Sequence, residues 1–327
     1  MVFGSRQSKR DDCLVGNASG AISPALSTGG LDNTHLRLLL NWTKATALTI
    51  SRNDSDLRIW QTLVPHEALS NPSLLHGILA VSAIHLALVA CKQGHEREQW
   101  ITTAEYHQSA AINLFTCLIE ENTQLQHIGS FALSSLLIGF AFAFPLAASG
   151  PDHGPSDPLG EMIQIITLIK STMDFSAPIL TGAKSSEMSQ STYVEETDLV
   201  LSGFSCSAVS ALYELNITHI LDWEDRQAFH TAIIHLKDFF ANIDSGAEPV
   251  SKTFMWICEI PSHFHRLLQQ RHPFALLILA HYCVVLHHLR WIWWISSWGQ
   301  HVLEVINRTL GPEWRPFMEW VLNATGI

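Results

Sequence analysis

PFALLILAHYCVVLHHLRWIWWISSWGQHVLEVINRTLGPEWRPFMEW, residues 273–320, is the segment that decides the fold class. Pro273 favours a helix start, because its φ is fixed and its missing N–H is not needed at the first helical position. The apolar residues that follow recur at i, i+3, i+4 and i+7 and also fill the opposite face, so this helix is predicted to be apolar all round. His281, His287, His288 and Arg290 interrupt it, which favours a protein core over a lipid bilayer.

Tryptophans crowd the end of this predicted helix, at positions 291, 293, 294 and 298. Gly299 follows them, ahead of a second predicted helix over 300–310 that Gly311 and Pro312 end. Because glycine tolerates positive φ, Gly299 is the candidate hinge of a switch between these two helices.

A family resemblance rests on this stretch and on two others. ALLILAHYCVVLHHLRWIWWISSWG (275–299) and LGPEWRPFMEW (310–320) resemble the C-terminal end of the regulatory domain of fungal zinc-cluster (Zn2Cys6) transcription factors, of the sterol uptake control protein type. LLHGILAVSAIHLA (74–87) is similar to the first core helix of that domain. The spacing of its next helix is matched by Tyr106, His107, Ala110, Ala111 and Leu114. The resemblance covers about 36–320.

The pattern predicts an all-α fold, because no stretch alternates apolar and polar residues as a strand does. We expect a disordered lead over 1–31 and a single large helical domain of about ten to twelve helices over 32–327. The predicted N-caps are Asp32 and Asn71. Predicted elements are helices over 33–50, 72–91, 95–121, 125–148, 159–175, 204–220, 224–243, 251–259 and 261–271, a short helix that ends at Pro65, and a polar loop over 180–198.

Residues 131–148 contain no charged side chain and have the length of a short membrane span. Gly139, Pro145 and two serines weaken that interpretation, and no basic flank follows. We therefore expect a buried core helix and no membrane span, with a span as the alternative.

The charge balance is acidic, with a net charge of −11 from 19 basic and 30 acidic residues. Such a chain lacks the basic face that phosphate contacts need. The family that it resembles reads DNA through six cysteines in two C-x2-C-x6-C halves, whereas the cysteines here are scattered at 13, 91, 117, 206, 258 and 283. The expectation is no direct DNA binding by this chain, with the DNA-binding module either outside it or absent.

The cysteines and the first residues of the chain also indicate its cellular compartment. No C-x-x-C pair or regular cysteine framework is present, which favours reduced core thiols in an intracellular protein. The first residues lack the apolar run of a secretory signal. The resemblance implies a protein of nucleus and cytoplasm.

The catalytic and metal-binding motifs are all incomplete. His95-Glu96 begins like a zincin motif, but Gln99 stands where the second histidine is required. Cys283 and His287 share a helical face, yet zinc needs two more ligands. The segment 203–207 lacks the second glycine of G-x-S-x-G. We expect no enzyme, no cofactor and no metal.

The apolar excess leaves a ligand pocket between helices as the functional candidate. Its candidate walls are Phe131, Phe140, Phe144, Leu277, His281 and Trp294. Plain core packing is the alternative for each of them. The resemblance favours the pocket, since related regulatory domains bind a sterol and switch between a cytosolic and a nuclear form. The expected partners are an apolar small molecule and a second chain, in a homodimer or a heterodimer with a transcription factor. A ligand-free co-regulator that pairs with a full-length factor is the alternative function.

Overall fold

The computed structural model describes residues 32–51, 53–90, 94–120, 127–150, 154–182, 203–244 and 249–327. This part of the chain forms thirteen helices and no strand, so the all-α prediction is confirmed. The lead at 1–31 lies outside the described residues, as do positions 183–198 of the expected polar loop. Residues 180–182 of that loop belong to a helix.

Three of the helices contain a π-helical turn. Helix α1 comprises Asn33–Asn41, the π turn Trp42–Thr46 and Ala47–Ile50; α2 comprises Asp54–Arg58, the π turn Ile59–Leu63 and Val64–Ala68; α3 comprises Pro72–His85 and the π turn Leu86–Ala90. The others are α4 (His95–Glu120), α5 (His127–Ala148), α6 (Pro158–Gly182), α7 (Gly203–His219), α8 (Trp223–Asp244), α9 (Pro249–Glu259), α10 (Ser262–Gln269), α11 (Pro273–His288), α12 (Trp298–Thr309) and α13 (Arg315–Thr325), the last preceded by a 3₁₀ turn, Pro312–Trp314.

The π turn of α1 releases one backbone acceptor. The Ala47 N–H donates to Trp42 O, whereas in a regular α-helix it would donate to Thr43 O. The Thr43 carbonyl accepts a side-chain bond from α2 instead, because Gln61 Nε2 donates to it over 2.8 Å.

The π turn of α2 also releases a backbone acceptor, which bonds to a side chain of α1. The same turn explains why the helix end expected at Pro65 is wrong. The Val64 N–H donates to Ile59 O, so Trp60 O loses its helical donor and accepts from Trp42 Nε1 at 2.8 Å. Pro65 has no N–H and its ring would clash in a regular α-helix. The wider turn before it accommodates the ring, and α2 continues to its end beyond Pro65.

The predicted helix starts are mostly confirmed. Asn71 caps α3, with its Oδ1 accepting from Leu74 N at 3.2 Å, and Pro72 stands at the first helical position. Pro273 opens α11 in the same way. Asp32 is the N-cap of α1, as predicted, although its side chain accepts no capping hydrogen bond.

The apolar side chains form two cores that share α5. We call them the N-terminal core, built by α1 to α5, and the C-terminal core, built by α5 to α13. On α5, Phe140, Ala143 and Ala147 belong to the N-terminal core. Phe142 and Leu146 belong to the C-terminal core. Within each set the residues are three or four apart, so the sets lie on different sides of the helix. Helix α5 is therefore the wall between the cores.

In the part of the chain that the structure describes, two helices contain windows long and apolar enough to cross a membrane, 72–89 in α3 and 129–148 in α5. The buried share of these windows is 78% for α3 and 50% for α5. Core helices pass the same length test, and α5 packs on both cores. The lack of a membrane span stays a prediction.

Helix α11 lies at the centre of the C-terminal core, with every residue from 274 to 286 buried. It packs against α12 most extensively. The contact is close at Gly299 in the first turn of α12, where an added Cβ would lie 2.7 Å from both Cys283 O and His287 N. Gly299 has no positive φ, so the left-handed conformation expected there is wrong. Close approach of two helices is what requires this glycine, and a switch at this residue stays a prediction.

The turn between α11 and α12 ties the two cores together. Trp298 Nε1 donates to Phe142 O on α5 at 2.9 Å. Trp293 Nε1 donates to Thr49 Oγ1 on α1 at 3.0 Å, and its ring lies 4.7 Å from that of His85, centroid to centroid. The tryptophan cluster seen in the sequence thus connects the end of α11 to both halves of the fold.

Candidate ligand site

A cleft of about 330 Å³, open to solvent, lies between α4, α5 and α6. Phe140 and Phe144, one turn apart on α5, form its aromatic side, with ring centroids 5.5 Å apart and planes 14° apart. Leu137 of α5 and Ile165 and Leu168 of α6 extend the apolar lining. The volume falls at the lower end of the range for small-molecule sites.

Polar groups converge on the same cleft from two helices: Gln108 of α4, and Glu161 and Gln164 of α6. Within the described residues, none of these three side chains has a hydrogen-bond or ion-pair partner. Ala141 and Pro145 also line the cleft. Because Pro145 has no N–H, the Ala141 carbonyl four residues earlier lacks the donor that a regular helix would provide.

A smaller pocket of about 110 Å³ lies between α7, α11 and α13. His281 and Trp320 line it with stacked rings, 5.3 Å between centroids and 8° between planes. His281 Nδ1 lies 2.8 Å from Leu277 O, so Nδ1 carries the proton and Nε2 is left as an acceptor. Burial lowers the pKa of His281 to about 4, which keeps the ring neutral at pH 7.

The six residues predicted for one pocket are distributed over the fold. Phe140 and Phe144 line the cleft, and His281 lines the smaller pocket. The other three line neither of these two pockets: Phe131, Leu277 and Trp294.

The reason for this separation is that α5 stands between the cleft and α11. Leu277 is fully buried in the C-terminal core. Trp294 stacks on Phe254, with centroids 5.5 Å apart, and meets the edge of Phe142 at 5.7 Å. Phe131 is half-buried in the first turns of α5. No sequence pattern predicts that Gln108, Glu161 and Gln164 belong to one site, because they come together only when the helices pack.

Histidines from the two N-terminal segments that carried the resemblance also meet. His76 Nδ1 lies 2.8 Å from His107 Nδ1, and His35 and Tyr106 pack their rings against His107. Burial, together with His76 and His35, lowers the pKa of His107 to about 3. Throughout the described ranges, no group of three or more His, Cys, Asp or Glu side chains is arranged to hold a metal ion.

The thiols of Cys258, which is half-buried, and Cys283, which is buried, are not suited to act as nucleophiles. Burial raises the pKa of Cys258 to about 11 and raises the pKa of Cys283 further. A thiol attacks as its thiolate, and these two remain protonated at neutral pH.

Residues 44–142 match the family model of the fungal specific transcription factor domain. The match begins in the π turn of α1 and ends within α5, so it contains most of the N-terminal core and part of the cleft. It supports a regulatory domain of a fungal transcription factor. No curated protein matches the chain.

Proposed function

We propose that this chain is a fungal transcriptional regulator whose helical domain senses an apolar small molecule in the cleft between α4, α5 and α6. The observation that carries the proposal is the position of the cleft. Gln108, Leu137 and Phe140 belong to the segment that matches the transcription factor domain, whereas α6 lies outside it. A ligand there touches both parts of the fold at once. The ligand class is a sterol or a terpenoid or polyketide metabolite, and the controlled genes serve lipid or secondary metabolism.

The response is transmitted through α5. A ligand shifts a conformational equilibrium only if it binds one state more tightly than the other. Phe140 and Phe144 face the ligand, and Phe142 on the same helix accepts the Trp298 bond at 2.9 Å. Movement of α5 therefore changes the position of the first turn of α12. It thereby changes the surface that a partner chain binds.

The co-regulator alternative is favoured by exposed apolar side chains at the junction of α7 and α8. Leu221 is 91% exposed and Trp223 is 69% exposed, and large exposed apolar groups near one another mark interaction surfaces. In this alternative the chain binds no small molecule and pairs with a full-length factor, in the nucleus and the cytoplasm.

Thermal unfolding with added ergosterol, then with apolar fungal metabolites, tests the proposal. A ligand at 100 times its dissociation constant should stabilise the fold by ~2.7 kcal/mol. Phe144→Ala removes a cleft ring and should abolish the shift. Ile138→Ala is the matched control, because Ile138 is a half-buried apolar residue of α5 that packs on the C-terminal core.

The two functions give different outcomes. Stabilisation that Phe144→Ala removes and Ile138→Ala retains supports sensing in the cleft. No stabilisation by any compound, together with co-purification of a zinc-cluster factor that Trp223→Ala abolishes, would establish the co-regulator instead.

A further inference from the structure

Among the described residues, the lining of the cleft offers hydrogen-bond acceptors and no positive charge. These residues include one carboxylate, that of Glu161, and no Lys, Arg or His. Ala141 also lines the cleft, and its carbonyl lacks a helical donor because Pro145 has no N–H. Gln108 and Gln164 can each offer an amide oxygen.

The arginine and lysine side chains of the helices that line the cleft are engaged elsewhere. On α4, Arg97 Nη2 donates to Ala147 O at 2.5 Å. On α6, Lys170 Nζ donates to Ile260 O at 2.7 Å. In the part of the chain that the structure describes, neither of them neutralises Glu161, whose carboxylate has no hydrogen-bond or ion-pair partner there.

We infer that the cleft selects an amphipathic amine: its apolar body lies along Phe140 and Phe144, and its protonated nitrogen donates to the Glu161 carboxylate. The inference rests on the proposed function and specifies the head group of the ligand. A charge-assisted bond from N⁺–H to a carboxylate is stronger than a neutral one. An anionic head group meets the like charge of Glu161, which the neutral amide N–H groups of Gln108 and Gln164 do not cancel, so the cleft disfavours carboxylates.

The experiment compares three probes with the same ten-carbon tail: decylamine, decanol and decanoate at pH 7, each below its micelle concentration. At this pH the amine is protonated and the acid is ionised. Binding to the full chain is measured by calorimetry. The expected order of affinity is decylamine, decanol, decanoate, with roughly fivefold between the first two, the size of a partly screened ion pair.

Glu161→Gln keeps the shape of the side chain and removes its charge. The variant should bind decylamine roughly fivefold more weakly and decanol unchanged. Because the whole chain is acidic, Glu319→Gln on the exposed face of α13 is the control, with the same change in net charge and no expected effect. Circular dichroism checks that each variant is folded.

Each outcome decides a distinct point. Loss of the amine preference in Glu161→Gln alone supports the inference. Equal affinity for amine and alcohol in the wild type, or equal losses in both variants, overturns the inference and leaves the cleft as a ligand site. Failure of all three probes to bind overturns the inference and also the proposed cleft site.

Discussion

Gly299 and Gly139 are both helical glycines, but their surroundings differ. A Cβ on Gly299 would collide with two backbone atoms of α11, Cys283 O and His287 N. A Cβ on Gly139 would meet nothing within 4 Å. Alanine is the better helix former by about 1 kcal/mol, so the environment decides the sign of each substitution.

Gly299→Ala should destabilise the fold by about 1–3 kcal/mol, because backbone cannot yield as a side chain does. Gly139→Ala should stabilise it by about 0.5–1 kcal/mol. Urea unfolding of both variants measures the two values. A Gly299→Ala protein as stable as the wild type would show that α11 and α12 do not pack this closely.

Because several buried histidines have lowered pKa values, we expect the fold to lose stability in mild acid. Burial lowers the pKa of His85 and His281 to about 4 and, with neighbouring histidines, that of His107 to about 3, from the ordinary 6.5. The unfolded chain therefore takes up these protons near pH 6.5 and the folded chain does not. Stability is fully present above pH 6.5 and falls as the pH drops toward 4, by about 1.4 kcal/mol per pH unit for each group.

His281→Phe tests this at one site. The substitution keeps a ring against Trp320 and removes one titrating group. Between pH 6.5 and 4.5 the unfolding free energy of the variant should fall less steeply than that of the wild type, by about 1.4 kcal/mol per pH unit. Identical slopes in the two proteins would mean that His281 has the same pKa in the folded and the unfolded chain.

At the scale of helices, the joint between α5 and α12 depends on one buried hydrogen bond. Trp298→Phe keeps an aromatic ring but removes the Nε1 donor. The Phe142 carbonyl then loses the hydrogen bond from Trp298. Loss of a buried partner costs about 1–3 kcal/mol. Trp223→Phe, at a largely exposed ring, should change the unfolding free energy by less than about 0.5 kcal/mol. Equal effects of the two substitutions would contradict this joint.

Helices were predictable where local chemistry sets them. Asn71-Pro72 and Pro273 start helices in the chain as in the sequence, because capping needs only neighbouring atoms. The continuation through Pro65 was not predictable, since it depends on a π turn whose freed carbonyl bonds to Trp42. The candidate site behaved likewise: Phe140 and Phe144 were predicted, but Glu161 joins them only through the packing of α6 on α5.

At the scale of the whole molecule, the net charge of −11 leads us to expect that the chain alone does not bind DNA. The purified chain should not shift a DNA fragment in a gel, even at low salt, where electrostatic binding is strongest. A basic peptide fused to the same chain is the positive control. Sequence-specific shifting by the chain alone would contradict the expectation.

The two π turns that bond α1 to α2 also constrain how related chains can differ in length. A π turn has one residue more than the α-helical turn it replaces, so deleting one residue there would restore a regular helix with both flanks on their original faces. A deletion in only one helix would return a helical donor to Thr43 O or Trp60 O and leave Gln61 or Trp42 of the other without its acceptor. Natural relatives should therefore keep both extra residues or lose both, so that the lengths of the two helices change together.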